Sequence, residues 1–181
     1  MGLEMDLERT SLQMSVHISL AAESEKSILR NLLQLYLYDF SEFTGEDPGP
    51  LGLYEYQYLD LYWVESGRHP FLIYKDGKLA GFVLVHRYNY LTDEPDCWVI
   101  AEFFVLRKYR GKRVGEAAAL LIFERFRGDW QVAQISTNAS ATTFWRKMIQ
   151  RFTQGNYQEV MLESERWHGP VQMFHSSGSQ P

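Results

Sequence analysis

One cysteine among 181 residues leaves no internal disulfide to staple the fold. Cys97 stands at the start of an apolar run, where a thiol is an ordinary small hydrophobe. Long apolar runs are also missing, and none approaches the roughly 18 residues of a membrane span. The opening MGLEMDLERT is acidic where a signal peptide would be basic, and no continuous apolar segment comes after it. Together these absences imply a cytoplasmic setting and no membrane partner. The five histidines (His17, His69, His86, His168 and His175) lack ligand spacing such as His-x-x-x-His, so no metal site is expected. Neither a Gly-x-Ser-x-Gly elbow nor a GxxxxGK(S/T) loop occurs, which removes the common hydrolase and P-loop readings. With 18 Lys and Arg against 23 Asp and Glu, the net charge of −5 argues against general nucleic-acid affinity.

What the chain does have is apolar and aromatic. A 45% hydrophobic content fits a globular domain, and 15% aromatic residues suggest a ligand groove as well as a core. The length predicts one domain over residues 1–181, burying about two-thirds of its unfolded surface. Residues 1–13 carry no clear signal and are expected to be a frayed leader or an edge strand, and the tail 176–181 is expected to be disordered. Ser15 to Leu20 alternates as a strand. Glu23 to Phe43 has helical spacing, with Ser24 as its expected cap and the Gly/Pro-rich stretch 45–52 as its end. A second, tyrosine-rich helix is predicted over Tyr54 to Val64. Two strands then flank Asp76-Gly77, a hairpin signal, and Trp98 to Leu106 completes a meander. Next come a helix from Val114 to Arg127, a strand from Trp130, a helix capped by Asn138 or Ser140, and a closing pair (Tyr157 to Leu162, Val171 to His175). The order implies an α/β (α+β) layered arrangement on a mixed sheet.

The informative stretch is Trp98 to Arg127. A β-branched and aromatic run ends at Leu106, a turn carries Arg107, Lys108, Arg110, Lys112 and Arg113 around Gly111, and an Ala/Leu-rich helix begins near Val114. Strand, basic turn and helix start make an anion site, because the first-turn N–H groups and the helix dipole point at the turn's contents. A solvated charge run, a nucleic-acid patch and a localisation signal are the other readings of the same residues.

The run Val105, Leu106, Arg107, Lys108, Tyr109, Arg110, Gly111, Lys112, Arg113, Val114, Gly115 resembles motif A of the GNAT superfamily, the acetyl-CoA-dependent N-acetyltransferases. Arg110 and Gly115 match the ends of its core pattern, while Arg113 stands where the first glycine is usual. Downstream, Asn138, Ala141, Phe144 and Trp145 fall in the register of the family's N-x-x-A-x-x-F-Y helix, with Trp145 in place of tyrosine. The resemblance implies a mostly antiparallel sheet of about six to seven strands flanked by about four helices, with acetyl-CoA as cosubstrate and no metal. It implies that Arg110, Gly111, Lys112, Arg113, Val114, Gly115 and Glu116 hold the diphosphate. Phe103, Phe104, Val105, Asn138, Ala141 and Trp145 would hold the pantetheine arm. An N–H at Val105 or Phe104 would support an oxyanion.

Glu102 interrupts an apolar strand and is the candidate general base, its other reading being a carboxylate paired with Arg or turned to solvent. The indole of Trp145 can donate a hydrogen bond but releases no proton near neutral pH, unlike the acid often assigned to the family's tyrosine. Aromatic and acidic residues from Tyr36 to Trp63 would wall a site for a small-molecule or peptide amine. The reading is therefore acetyl transfer from acetyl-CoA to a primary amine by direct attack. A catalytically idle acyl-CoA-binding module and, behind it, a nucleic-acid-binding domain are the alternatives, and a homodimer is left open.

Overall fold

The computed structural model describes residues 15–178, and the expectations for residues 1–13 and for the last three residues fall outside that range. The alternating runs become four antiparallel neighbours: β1 (Val16–Leu20), β2 (Arg68–Lys75), β3 (Lys78–Tyr88) and β4 (Cys97–Val105). Asp76 and Gly77 link β2 to β3 with φ of 50° and 72°, the paired left-handed residues that a tight right-twisted hairpin needs. β5 (Gly128–Ala133) lies parallel to β4, and β7 (His168–Ser176) and β6 (Gln158–Glu163) complete the order β1-β2-β3-β4-β5-β7-β6.

Three α-helices cover the sheet among the described residues: α1 (Lys26–Thr44), α2 (Val114–Arg125) and α3 (Ala139–Thr153). On one face Leu29, Leu32 and Leu33 of α1 join Leu72, Phe82, Leu84 and Phe104 in a buried cluster. The larger core on the other face joins Ala118, Ile122 and Phe123 of α2 and Met148 and Ile149 of α3 with Phe71, Val83, Trp130 and Phe174 of the sheet.

The expected helix over Tyr54 to Val64 does not form, and only a 3₁₀ turn at Leu59–Trp63 does, so the helix count is three rather than about four. The cause is local. Gln34 on α1 takes both backbone groups of Tyr54, its Oε1 accepting from the N–H and its Nε2 donating to the carbonyl, each at 2.9 Å. The Tyr54 carbonyl, which a helix starting there would use for its first backbone bond, is thereby paired with α1 instead. Ser24 is not the cap of α1; a 3₁₀ turn at Glu23–Glu25 precedes it, and Ala22 N–H donates to Glu25 Oε2 at 2.9 Å. The expected loose tail is held at its first residue, where buried Ser176 donates to the Phe123 carbonyl at 2.7 Å.

Two features of β4 set the shape of the cleft beside it. Leu84 pairs with Glu102 and Val85 with Ile100, so Ala101 is an extra residue and the strand bends there. Opposite the bent half, Gly81 lets β3 approach so closely that a Cβ would stand 2.0 Å from the Phe104 carbonyl oxygen. Gly81→Ala should therefore cost about 2–3 kcal/mol through forced backbone displacement. The check is a lower denaturant midpoint at unchanged m-value; a wild-type midpoint would contradict the close approach.

Candidate active site

β4 meets β5 at only two register positions, Trp98↔Trp130 and Val99↔Gln131, while its ladder with β3 continues to Val105. Beyond Val99 the strands part. Leu106 N–H donates to the Ala80 carbonyl at 2.8 Å, toward β3. By strand alternation Phe104 faces β3 as well, and the backbone groups of Phe103 and Val105 face the gap. The Val105 carbonyl already accepts from Arg110 Nε at 2.8 Å, which leaves its N–H as the gap-facing donor.

At the mouth of the gap, a 3₁₀ turn at Arg107–Tyr109 runs into Gly111 (φ 71°) and Arg113 (φ 60°). No side chain caps α2, and Ala117 N–H to Arg113 O is its first backbone bond, so the amides of Val114, Gly115 and Glu116 point outward from the helix start. Arg113 adopts the left-handed conformation that favours glycine, which explains why glycine suits this position. A cavity of about 570 Å³ joins turn and gap, lined among others by Val105, Arg110, Gly115, Asn138, Phe144 and Trp145. Outward-facing amides, helix dipole and guanidinium groups form a donor set that fits a diphosphate, and the open strand edge beyond it fits an amide-bearing arm.

Some expected residues meet here only through their backbone. Val114 is wholly buried in the core, and exposed Lys112 does not line the cavity. The Glu116 carboxylate pairs with Lys147 at 3.3 Å and Arg151 at 3.0 Å, tying α2 to α3. Gly111, Arg113, Phe103, Phe104 and Ala141 all line the cavity. Asn138 caps α3, its Oδ1 accepting from Ala141 N–H at 3.0 Å. Trp145 is buried and stands edge-on to Phe103 at 5.0 Å between ring centres.

Sequence reasoning did not find the clasp on the basic turn. Asp39 of α1 accepts from Arg107 at 2.7 Å and from Arg110 at 2.5 Å across the cavity mouth. Burial pushes the Asp39 carboxyl up, but the hydrogen bonds and charges of the two arginines outweigh it and hold the group below its ordinary value.

A second cavity, about 650 Å³, adjoins the first and shares Tyr36, Phe40, Phe103, Asn138, Ala141 and Trp145 with it. Glu102 lies on its wall and accepts a hydrogen bond from Tyr36 Oη at 2.5 Å. Burial pushes the Glu102 carboxyl up to about 7, against a smaller opposite pull from hydrogen bonding by Tyr36 and Tyr56. Burial first, and then the Glu102 charge, raise both tyrosines well above their ordinary value, so each stays a protonated donor. Arg68, His86, Tyr88, Tyr90 and Trp167 also line this cavity and were not anticipated, although period-two alternation along β3 puts His86 and Tyr88 on the face of Leu84.

Parted strands, a bulge, an uncapped helix start and paired cavities make a cleft that fits a diphosphate with an amide-bearing arm. A sequence model described as the acetyltransferase (GNAT) family matches residues 30–149, and the chain belongs to that family. An acetyltransferase from Thermus thermophilus superposes with a TM-score of 0.66 at 13% identity, over 89% of this chain and 97% of that one. Aminoglycoside acetyltransferase AAC(6')-Ib in complex with coenzyme A gives 0.62 at 16% identity, over 89% and 95%. Spermidine N-acetyltransferase from Vibrio cholerae, in complex with CoA and spermine, gives 0.62 at 12%, over 91% and 97%. At such identities the likeness establishes the fold alone. No match is found among curated protein sequences. Among the described residues no helix is long and apolar enough to cross a membrane, and no group of His, Cys, Asp and Glu could hold a metal ion.

Two variants test this geometry. Arg113→Gly should raise stability by about 1 kcal/mol through relief of the left-handed backbone, and a lowered midpoint would contradict the strain. Asp39→Asn tests the clasp. A carboxyl held below its unfolded value stabilises above that value and loses the contribution as pH falls through the folded one. The wild-type advantage over Asp39→Asn should therefore be full near neutrality, begin to fall near the unfolded value of about 4 and disappear only below the lower folded value. A difference that persists unchanged into acid would contradict the pairing.

Proposed function

We propose that the protein is an N-acetyltransferase that moves the acetyl group of acetyl-CoA to a primary amine of a small molecule or peptide by direct attack, in the cytoplasm. The observation that carries this reading is Glu102, a carboxylate with its affinity for protons raised toward neutrality, on the wall of one cavity where a second opens beside it. Acetyl-CoA, when bound, supplies the thioester. The amides of Val114, Gly115 and Glu116 with Arg110 and Arg113 would hold its diphosphate, and the gap-facing backbone of Phe103 and Val105 would hold its arm.

In this reading Glu102 removes the proton that an ammonium must lose before its lone pair can attack, directly or through water. Tyr36 and Tyr56 keep the carboxylate oriented. The new C–N bond forms at the thioester carbonyl while the Val105 N–H supports negative charge developing on its oxygen. The C–S bond then breaks, and the departing CoA thiolate receives, through solvent, the proton that the new amide nitrogen sheds. Trp145 excludes water and packs the arm rather than delivering a proton. Positioning both reactants in adjoining cavities supplies the remaining advantage.

A second reading, a catalytically idle acyl-CoA-binding module, is favoured by Trp145 and Arg113, the two departures from the family pattern. Thiol release from acetyl-CoA across an amine panel separates the two. Asp39 offsets only one of the five positive charges of the basic turn, and it is the net charge of −5 that counts against a nucleic-acid surface.

Glu102→Gln should lower kcat by roughly 10²–10⁴-fold and leave thermal stabilisation by CoA intact. In the wild type kcat/KM should rise with pH to a plateau above about 7, the value at which Glu102 ionises, and this limb should disappear in the variant. Wild-type turnover in Glu102→Gln would exclude the carboxylate as base.

A further inference from the structure

The acceptor cavity has an unusual charge inventory for a site that takes amines. Among the described residues its only carboxylate is Glu102, while two arginines, Arg68 and Arg166, line the same cavity. The acids that pair with those arginines face outward. Glu65 and Asp93 have side chains 49% and 90% exposed, and neither lines the cavity. Most of the remaining wall is aromatic and neutral, with Tyr56, Tyr58, Tyr88, Tyr90 and Trp167 contributing rings. His86 is neutral too: burial, then the charge of Arg68, pushes it down to about 4, and its Nδ1 sits 2.8 Å from Arg68 Nη1 as an acceptor.

Register fixes where the charges lie. Arg68 of β2 pairs with His86 of β3, two residues along from Leu84, which pairs with Glu102 of β4. Leu84 and His86 share a face of β3. Two residues along and two strands across put the Cα atoms of Arg68 and Glu102 about 12 Å apart on one face of the sheet. A guanidinium carries five N–H donors. Arg68 spends Nε on Glu65, at 2.6 Å, and one Nη1 hydrogen on His86. At most three donors therefore remain for a ligand, and Tyr62 competes for them, its ring centre 5.5 Å from the guanidinium carbon. Arg166 is more committed, holding the Thr92 carbonyl at 2.6 Å and the Asp93 carboxylate, and so fastens the turn before β7 over the cavity.

Resting on the proposed transferase activity, we infer that the acceptor is an aromatic monoamine bearing an acidic group, its ammonium at Glu102, its ring among the tyrosines and its anion at Arg68. A polycation would meet one carboxylate, Glu102, and two guanidinium groups whose charges Glu65 and Asp93 already offset. The cavity thus offers a polyamine or aminoglycoside a single anionic contact for its several ammonium groups.

The test compares para-aminomethylbenzoate, benzylamine, spermidine and kanamycin on the full chain, with two readouts: binding by calorimetry in the presence of CoA, and thiol release from acetyl-CoA. The expected order is para-aminomethylbenzoate first, benzylamine roughly tenfold weaker, and both polycations last. In Arg68→Gln the ratio of para-aminomethylbenzoate to benzylamine should collapse to within about threefold. The wild-type order decides the matter by itself should that variant fail to fold. Preference for spermidine or kanamycin, or an unchanged ratio in Arg68→Gln, overturns the inference and leaves the transferase reading standing. Binding in the expected order without thiol release supports the inference and contradicts transfer.

Discussion

The whole site depends on two strands ceasing to pair. A buried strand edge must satisfy its N–H and C=O groups somewhere. β4 does so on one side with β3, and over its first residues with β5 on the other. Past Val99 the second partner is gone, because β5 follows β7 instead, in register from Gly128↔Ser176 to Ala133↔Val171. Buried side-chain amides hold that departure in place: Gln131 accepts from Tyr90 N–H and donates to Asn89, and Gln134 and Gln172 bond each other. What is left is a rigid gap with polar backbone on its β4 side. A peptide-like arm is the kind of ligand that completes such an edge, and a helix start at its mouth is the kind of place where phosphate binds.

Electrostatics then divide the cleft into unlike halves. Toward α2 the field is positive and shared with solvent, and Asp39 restrains two arginines there without removing the helix dipole. Toward β3 the surroundings are largely aromatic with Arg68 and Arg166 among them, and a single buried carboxylate is held close to the balance between its two protonation states. Such a group costs stability when ionised. Glu102 should hold its proton more tightly folded than unfolded, so its contribution to folding is fully present below the unfolded value of about 4.3 and declines as pH rises to about 7. In the proposed reaction that cost keeps a base available near neutrality.

Much of this was legible in the chain because it is local. Alternation marks the strands, Asp76-Gly77 marks the hairpin, and the spacing of Arg110, Gly115 and Asn138 carries the family pattern. What was not legible is nonlocal. The tyrosine-rich stretch after Pro50 contains helix-compatible residues, and only Gln34, twenty positions earlier in the chain than Tyr54, shows why no helix forms. Asp39 is one acid among several on α1 until the fold brings it against Arg107 and Arg110. Arg68 and His86 gain significance only when three strands lie side by side. Glu102 stood out as a carboxylate among apolar residues, but its tyrosine partners come from α1 and the loop after it, which no local pattern links to β4.

The most direct measurement is amide hydrogen exchange, resolved by residue, with and without CoA. If the gap and the helix start are the binding site, the amides of Phe103, Val105, Gly115 and Glu116 should slow markedly on addition of CoA, while Phe104, already bonded to β3, changes little. Unchanged exchange at Val105 and Gly115 under saturating CoA, or protection confined to the far edge strands β1 and β6, would contradict the assignment.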